Sequence, residues 1–228
     1  MSRAKVEIQC KDVVEGVAGA ILEQIPVVNF FVSAVGKVKE GTLQRRFESW
    51  QKMIGERLAT LEDVVFDTLG DNENFTTVFV KATELAAKSN KIKMECLANA
   101  VKYVATNKVE EEYIIVFLNC MEKYTLKHLE ALLYFQQART FRKDKTCMDM
   151  LINRIEKQPY FSQYYPEMDD NLSKSIIDDL RNDGLYSDEG MISKKLTDSE
   201  TLTPHATNLG KQFIDFFGLN EMDICVEN

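Results

Sequence analysis

The stretch SIIDDLRNDGLYSDEGMISKKLTDSETLTPHATNLGKQFIDFFG, residues 175–218, decides the predicted fold of the second half of the chain. Its first helix is expected to end at Gly184, because glycine readily takes the left-handed conformation found just past a helix. Residues 186–202 are polar and rich in turn formers, which is typical of a short β-hairpin. Thr203 and Pro204 are then typical of the cap and first residue of another helix. The stretch therefore predicts the order helix, hairpin, helix.

Two more helices are predicted upstream of this stretch. VEEEYIIVFLNCMEKY, residues 109–124, has apolar residues at helical spacing, and Thr125 is the predicted cap of LKHLEALLYFQQ. Residues 139–171, which include the aromatic loop QPYFSQYYPEMDD, are less regular and form a predicted insertion. Ser173 is the predicted cap of the helix that follows. The predicted order is therefore helix, capped helix, helix, hairpin, helix.

This order resembles the winged-helix superfamily over about residues 109–218, and in particular its prokaryotic modules. The resemblance is carried by HLEALLYF, by SIIDDLRNDGLY with its glycine-leucine exit, and by LTPHATNLGKQFIDFF as the closing helix. It implies a winged-helix-like subdomain at residues 107–219 with one small β-hairpin, followed by a tail at residues 220–228. It also implies that the helix before Gly184 takes the place of a DNA recognition helix.

The charge of that helix and hairpin argues against DNA as their partner. Over residues 171–203, four basic side chains stand against seven acidic ones, so the local net charge is −3. The whole chain has 28 basic and 36 acidic residues and a net charge of −8. Carboxylates held against the phosphates of a groove lower affinity for DNA. We therefore expect the module to dock protein, with DNA binding as the alternative. The predicted partner or phosphate contacts are Arg139, Arg142, Lys143, Lys145, Lys194 and Lys195.

The pattern of residues 40–106 predicts a helical bundle. Apolar residues recur every three or four positions over residues 43–69, which predicts one long amphipathic helix. GDNEN then predicts a turn with Asn74 as the next helix cap, and further helices are predicted at residues 75–86 and 94–104. Short turns between such helices favour antiparallel neighbours.

Residues 1–39 form a separate apolar segment. Their most apolar part, residues 24–36, has 13 uncharged residues, fewer than the ~20 that an ordinary transmembrane helix needs. Two functions fit residues 12–38: a helical hairpin that serves as core or self-association surface, or an element that perturbs membranes. The predicted self-association surface comprises Gly16, Gly19, Ala20, Phe30 and Phe31.

No catalytic, cofactor-binding or metal-binding residues are predicted. The sequence has no GxxxxGK[ST], GxGxxG, HExxH or GxSxG motif, and neither His128 nor His205 has an accompanying nucleophile. His128 falls among apolar positions of a helix, which predicts a packed or half-exposed side chain and not a catalytic one. The five cysteines are scattered without a CxxC pair, which is typical of free thiols in a reducing cytosol.

These patterns predict a mainly α protein with an N-terminal helical hairpin, a helical bundle and a winged-helix-like subdomain. We expect a cytoplasmic, non-catalytic protein of prokaryotic type that acts through protein interaction and assembly, including assembly as a homo-oligomer. One alternative is a DNA-binding regulator. The other is an effector that perturbs membranes through residues 12–38 and therefore also lies at a membrane surface.

Overall fold

The computed structural model describes residues 41–61, 69, 71–136, 170–187 and 206–222. Within these residues the chain is mainly helical, as predicted. The α-helices are α1 (Thr42–Leu58), α2 (Glu73–Lys88), α3 (Lys91–Thr106), α4 (Glu111–Lys123), α5 (Leu126–Gln136), α6 (Asp170–Asn182) and α7 (Asn208–Phe216), with a 3-10 turn at Leu219–Glu221. The β-structure of the same residues is one isolated antiparallel bridge, between Tyr186 and Ala206. The predicted β-hairpin is not seen, and its residues 188–202 lie outside the described part of the chain.

The chain divides into two compact units. The first comprises Met1–Glu122 and Phe216–Gly218, and the second comprises Lys123–Asp215 and Leu219–Asn228. The first unit therefore holds α1, α2, α3 and nearly all of α4, while α5, α6 and nearly all of α7 belong to the second. The finer domain boundaries drawn from the sequence stay predictions.

In the first unit, α1, α2 and α3 pack against one another. Their buried apolar residues include Ile54, Phe75, Phe79, Leu97 and Val101. α1 and α2 are antiparallel, because Arg46 near the start of α1 donates to the carbonyl of Ala87 near the end of α2 at 2.9 Å. One turn further along α1, Trp50 Nε1 donates to Thr83 Oγ1 at 3.1 Å. The buried indole N–H thus has the hydrogen-bond partner that burial requires.

Asparagine side chains cap the starts of α2 and α3. Asn72 Oδ1 accepts from the backbone N–H of Phe75 at 3.0 Å, and Asn90 Oδ1 accepts from the N–H three residues further on at 2.9 Å. Each bond satisfies a donor that has no partner inside the helix. The predicted cap, Asn74, is wrong: it lies in the first turn of α2, and its side chain donates to the carbonyl of Val109 at 2.8 Å.

The single long helix predicted over residues 43–69 is also wrong, because α1 ends at Leu58. The hydroxyl and the backbone N–H of Thr60 both donate to the carbonyl of Arg57, at 2.7 and 3.4 Å. Such local bonds offer the backbone an alternative to the helix. The apolar spacing of the sequence continues across this turn, so periodicity alone does not reveal the break.

One face of α4 lies in the core of the first unit. Its buried residues are Ile114, Phe117, Leu118, Cys120 and Met121. The ring centroid of Phe117 lies 5.4 Å from that of Phe216. Gly218 lies just past the end of α7: its φ is +61°, and a Cβ there would lie 2.7 Å from Asn99 Nδ2. Its left-handed conformation favours glycine at this position, and a larger residue would have to displace the Asn99 side chain.

In the second unit, α5 and α6 are antiparallel neighbours. His128 near the start of α5 lies 3.3 Å from Asp179 near the end of α6. Tyr124, which precedes α5, donates to Asp183, which follows α6, at 2.7 Å. Along their length the two helices bury Leu129, Leu132, Ile176 and Leu180. The pair thus combines an apolar contact with polar contacts at one end.

The predicted end of α6 at Gly184 is confirmed by a Schellman motif. Gly184 has φ +73°. Its N–H donates to the carbonyl of Arg181 at 3.0 Å, and the N–H of Leu185 donates to the carbonyl of Leu180 at 2.9 Å. These two bonds satisfy carbonyls that would otherwise lack a partner at the helix end.

The start of α6 differs from the prediction, because the helix begins before Ser173. Ser173 is fully buried, and it stands at helical spacing with the buried residues Ile176, Ile177 and Leu180. It therefore belongs to the inward face of α6 and is not its cap.

The start of α7 also differs from the prediction. The helix begins at Asn208, so Thr203 and Pro204, which lie outside the described residues, are not its first residues. Thr207 is the cap instead, because its hydroxyl oxygen accepts from the backbone N–H of Gly210 at 3.0 Å. The proline was a misleading signal, since a second threonine closer to the helix supplies the cap.

Candidate functional site

The acidic side chains of α6 take part in a polar network with the residues that lead into α5. Lys123 Nζ lies 2.8 Å from Asp179 Oδ1 and 3.1 Å from Asp183 Oδ2. Asp179 and Asp183 are four residues apart and so lie on one face of the helix, where a single cation reaches both. Tyr124 and His128 complete this group. We refer to the five residues as the α6 network.

His128 connects the start of α5 to α6. Its Nδ1 lies 3.1 Å from the backbone nitrogen of Thr125 and 2.9 Å from the Thr125 hydroxyl. Because a backbone N–H can only donate, Nδ1 is the acceptor, and Nε2 carries the proton and donates to Asp179 Oδ2 at 3.3 Å. The ring stacks on Tyr124 at a centroid distance of 4.8 Å. The predicted packing of His128 is confirmed, since the residue is only 6% exposed.

The contacts within the α6 network determine which of its side chains are charged at neutral pH. Burial lowers the pKa of His128 below its ordinary value, and the hydrogen bond to Asp179 opposes that shift. The hydrogen bond from Lys123 lowers the pKa of Asp179, and the same contact raises the pKa of Lys123. At neutral pH the imidazole is therefore neutral, the carboxylate is ionised and the lysine is charged. Among the described residues, no group of three or more His, Cys, Asp or Glu side chains is placed to hold a metal ion.

The outward face of α6 is less acidic than its sequence suggests. Asp179 and Asp183 are only 30% and 25% exposed at their side chains, because they face Lys123. Asp178 is on the outward side and pairs with Arg181. The other exposed residues of that face include Lys174, Ser175 and Asn182. Among the α6 side chains that the structure describes, this face therefore presents two cations and one carboxylate.

A second charged group lies in the first unit, around Glu122. Lys88 Nζ and Lys81 Nζ lie 2.8 and 3.7 Å from its carboxylate, and Lys93 Nζ lies 3.5 Å from its backbone carbonyl. The hydrogen bond with Lys88 lowers the pKa of Glu122 and raises the pKa of Lys88. Two cations thus contact the Glu122 carboxylate and a third contacts its backbone carbonyl, an arrangement that the net charge of the chain does not suggest.

The two described cysteines, Cys96 and Cys120, are buried thiols that form no disulfide, as the sequence predicts. Burial raises the pKa of Cys96 to about 12, so the thiol form persists at neutral pH, whereas the nucleophile is the thiolate. The other three cysteines lie outside the described residues.

An exposed apolar surface lies on α4. Tyr113, Ile115 and Val116 are 37%, 48% and 40% exposed, although they fall within four residues of one another. Glu112 and Asn119, at helical spacing from Ile115 and Val116, are exposed on the same side of the helix. We refer to Tyr113, Ile115 and Val116 as the α4 apolar surface. Sequence analysis missed it, because the continuous apolar run YIIVFL does not reveal which members are buried.

The site residues predicted from the sequence lie outside the described residues and stay predictions. They are Gly16, Gly19, Ala20, Phe30 and Phe31 in the N-terminal segment, and Arg139, Arg142, Lys143, Lys145, Lys194 and Lys195 elsewhere. In the described part of the chain, no helix is both long and apolar enough to cross a membrane. Residues 12–38 are not part of that finding.

The chain was compared with known proteins in three ways. A scan against protein-family models found no match, and neither did a search of curated proteins or a search of solved structures.

Proposed function

We propose that this chain is a non-catalytic, self-assembling protein-interaction protein of prokaryotic type, and that residues 107–219 form a winged-helix module used to dock protein. The observation that carries the proposal is the α4 apolar surface. Single exposed apolar side chains are ordinary on a soluble protein, whereas contiguous exposed apolar area marks contact surfaces. Val116 lies three positions after Tyr113, at the spacing of neighbours on a helix face, and Ile115 extends the exposed apolar area around the helix. Covering Tyr113, Ile115 and Val116 removes apolar area from water at about 25 cal/mol per Å².

The order of elements supports the winged-helix part of the proposal. Three helices, α4, α5 and α6, precede the antiparallel bridge between Tyr186 and Ala206, and α7 follows it. The bridge joins residues on either side of the stretch predicted to form the wing, where the base of a hairpin would lie. The N–H of Thr207 also donates to the carbonyl of Leu185 at 3.0 Å, next to the bridge.

The α6 network supports protein docking over catalysis. Its carboxylates are already held by Lys123, its histidine is engaged on both ring nitrogens, and the tyrosine hydroxyl donates to a carboxylate. The polar groups of this network are thus already engaged with one another. Such a network stabilises the module that carries the docking surface.

DNA binding is the second candidate, and one observation favours it. Because Asp179 and Asp183 face Lys123, the side chains described on the outward face of α6 include two cations, Lys174 and Arg181, and one carboxylate, Asp178. Two cations contribute little counterion release, since each neutralised phosphate adds about one unit to the salt dependence of binding. The charge of this face is therefore compatible with DNA binding but adds little to the affinity.

The test of self-assembly is the mass of the full chain in solution, measured by light scattering over a range of concentrations. We expect a mass above that of one chain, and a lower mass for Ile115→Glu, because a carboxylate in a covered apolar contact loses its hydration. Leu43→Glu is the matched control, since Leu43 is similarly exposed, at 44%, but lies on α1. A monomer at every concentration contradicts the self-assembly proposal.

Two further variants separate the alternatives. If Ala20→Glu lowers the mass and Ile115→Glu does not, self-association belongs to the N-terminal segment. Retention on duplex DNA at low salt, lost in a Lys174→Glu, Arg181→Glu double variant, would replace protein docking by DNA binding; Lys194 and Lys195 are then the next positions to change. Dye leakage from anionic vesicles that requires residues 12–38 would instead support the membrane alternative.

A further inference from the structure

His128 occupies the third position of α5, where the carboxylate of a capping box ordinarily lies. In a capping box, a glutamate or glutamine at this position accepts a hydrogen bond from the backbone N–H of the capping residue. Here His128 Nδ1 is 3.1 Å from the N–H of Thr125, and the Thr125 hydroxyl is 2.9 Å away. An imidazole has replaced the usual side chain, and unlike glutamine it gains a proton in the physiological pH range.

Only one form of the ring makes both of its contacts well. The neutral ring with a proton on Nε2 accepts from Thr125 and donates to Asp179. A proton on Nδ1 would point at the fixed N–H of Thr125, so the cap bond would be lost and two donors would face each other. The Thr125 hydroxyl can rotate to accept from that proton, whereas the backbone N–H cannot adjust.

We propose that His128 is a pH-sensitive switch in the second unit: the neutral ring caps α5 and joins it to α6, and protonation at Nδ1 releases the cap. The proposal concerns regulation by pH and is independent of whether the protein docks protein or DNA.

The charged groups that face the ring are Lys123, Asp179 and Asp183. Asp179 and Asp183 favour the protonated ring, while burial and Lys123 disfavour it. The carboxylate of Asp179 is already shared with Lys123 at 2.8 Å, which weakens its attraction for an imidazolium. Tyr124 stacks on the ring face, with its ring centroid 4.8 Å from that of His128. The balance favours the neutral ring, because burial is the largest of these influences.

The direction of the pH effect follows from this balance. Because the pKa of His128 in the folded unit lies below its ordinary value of 6.5, the unfolded chain takes up the proton first as pH falls. Stability is therefore fully present above the unfolded value, decreases as pH falls below it, and levels off once the folded ring is also protonated. Each unit of difference between the two pKa values changes the folding equilibrium tenfold.

The test is a pH titration of the full chain by NMR, which follows the ring protons of His128 and the backbone amide of Thr125. The only other histidine is His205, so a His205→Gln variant assigns the signals. We expect a ring midpoint below 6.5 and a Thr125 amide that shifts with the same midpoint, because one proton controls both. A ring midpoint at or above 6.5, or a Thr125 amide that does not titrate, overturns the proposal.

His128→Gln is the matched variant, since glutamine keeps an acceptor for Thr125 and a donor for Asp179 but does not titrate. When the pH is lowered from about 7.5 to about 5, the equilibrium constant for unfolding of the unmodified chain should rise relative to that of the variant. Parallel pH profiles for the two proteins contradict the switch. If the variant does not fold, the ring and amide titrations of the unmodified chain decide the question.

Discussion

The two compact units differ in the contacts that hold their helices in place. In the first unit, α1, α2 and α3 surround fully buried residues such as Phe75, Leu97 and Val101. The buried polar contact from Trp50 to Thr83 is neutral, and the charged contacts around Glu122 lie at the surface. In the second unit, α5 and α6 also bury leucine and isoleucine, but one end of the pair is held by the α6 network. Apolar burial responds weakly to pH and salt, whereas contacts between charges respond to both. We therefore expect the stability of the second unit to depend more strongly on pH and salt than that of the first.

The largest effect is expected from a cavity in the first unit. Leu97 is 0% exposed on α3, so Leu97→Ala should lower the free energy of unfolding by about 2–5 kcal/mol. Urea unfolding followed by the fluorescence of Trp50, the single tryptophan, reports on this unit directly. The effect should be independent of pH.

Leu43→Ala is the control, because the same side chain is 44% exposed on α1. Its effect should lie within about 0.5 kcal/mol, as is usual for surface positions. If Leu97→Ala were as mild as Leu43→Ala, apolar burial would not be what distinguishes the first unit.

A smaller effect is expected where two backbones approach each other in the second unit. A Cβ at Gly210 would overlap the backbone carbonyl of Leu185 and lie 3.4 Å from a methyl group of Leu132. Gly210→Ala should therefore destabilise the second unit by about 1–3 kcal/mol through displaced backbone. Helix propensity alone would predict the opposite sign, a gain of about 1 kcal/mol.

Hydrogen exchange resolves this prediction by unit, because faster exchange should appear at amides of α5 and α6. Gly218→Ala is the companion variant in the first unit, where the left-handed conformation and the contact with Asn99 make alanine unfavourable. Slower exchange in Gly210→Ala would show that the carbonyl of Leu185 moves aside easily.

How far the sequence predicts these units depends on the kind of contact. Periodicity locates the helices of the first unit, because apolar burial sets their spacing. It fails at the end of α1, where Thr60 bonds to the carbonyl of Arg57 and stops a helix whose apolar pattern continues. The hydrogen bond of one threonine side chain does not change the spacing of the apolar residues, so the periodicity of the sequence does not show where the helix ends.

The second unit was harder to predict, because its decisive contacts join residues about 50 to 60 positions apart. The sequence analysis included Asp179 and Asp183 in the negative charge that would face DNA, because the sequence does not reveal their ion pairs with Lys123. The spacing of four between the two aspartates was the available signal, since it places both on one helix face. Gly184 was predicted correctly, because a left-handed residue after a helix is a local requirement. The start of α7 was predicted wrongly from Thr203 and Pro204. A cap motif is compatible with a helix start, but here α7 begins at Asn208 and Thr207 supplies the cap.

The smallest effect is expected from one hydrogen bond of the α6 network. Tyr124→Phe removes the hydroxyl that donates to Asp183 at 2.7 Å but keeps the ring stacked on His128. The loss should be about 1 kcal/mol, below the usual cost for a bond to a charged group, because Asp183 keeps Lys123 as a partner. Tyr113→Phe makes the same change at an exposed position of α4 and should be nearly neutral.

Added salt should reduce the remaining contribution of Lys123, whose side chain is 44% exposed, to the stability of the second unit, without changing the Leu97→Ala result. Equal effects of salt on Tyr124→Phe and Leu97→Ala would show that the two units are stabilised in the same way.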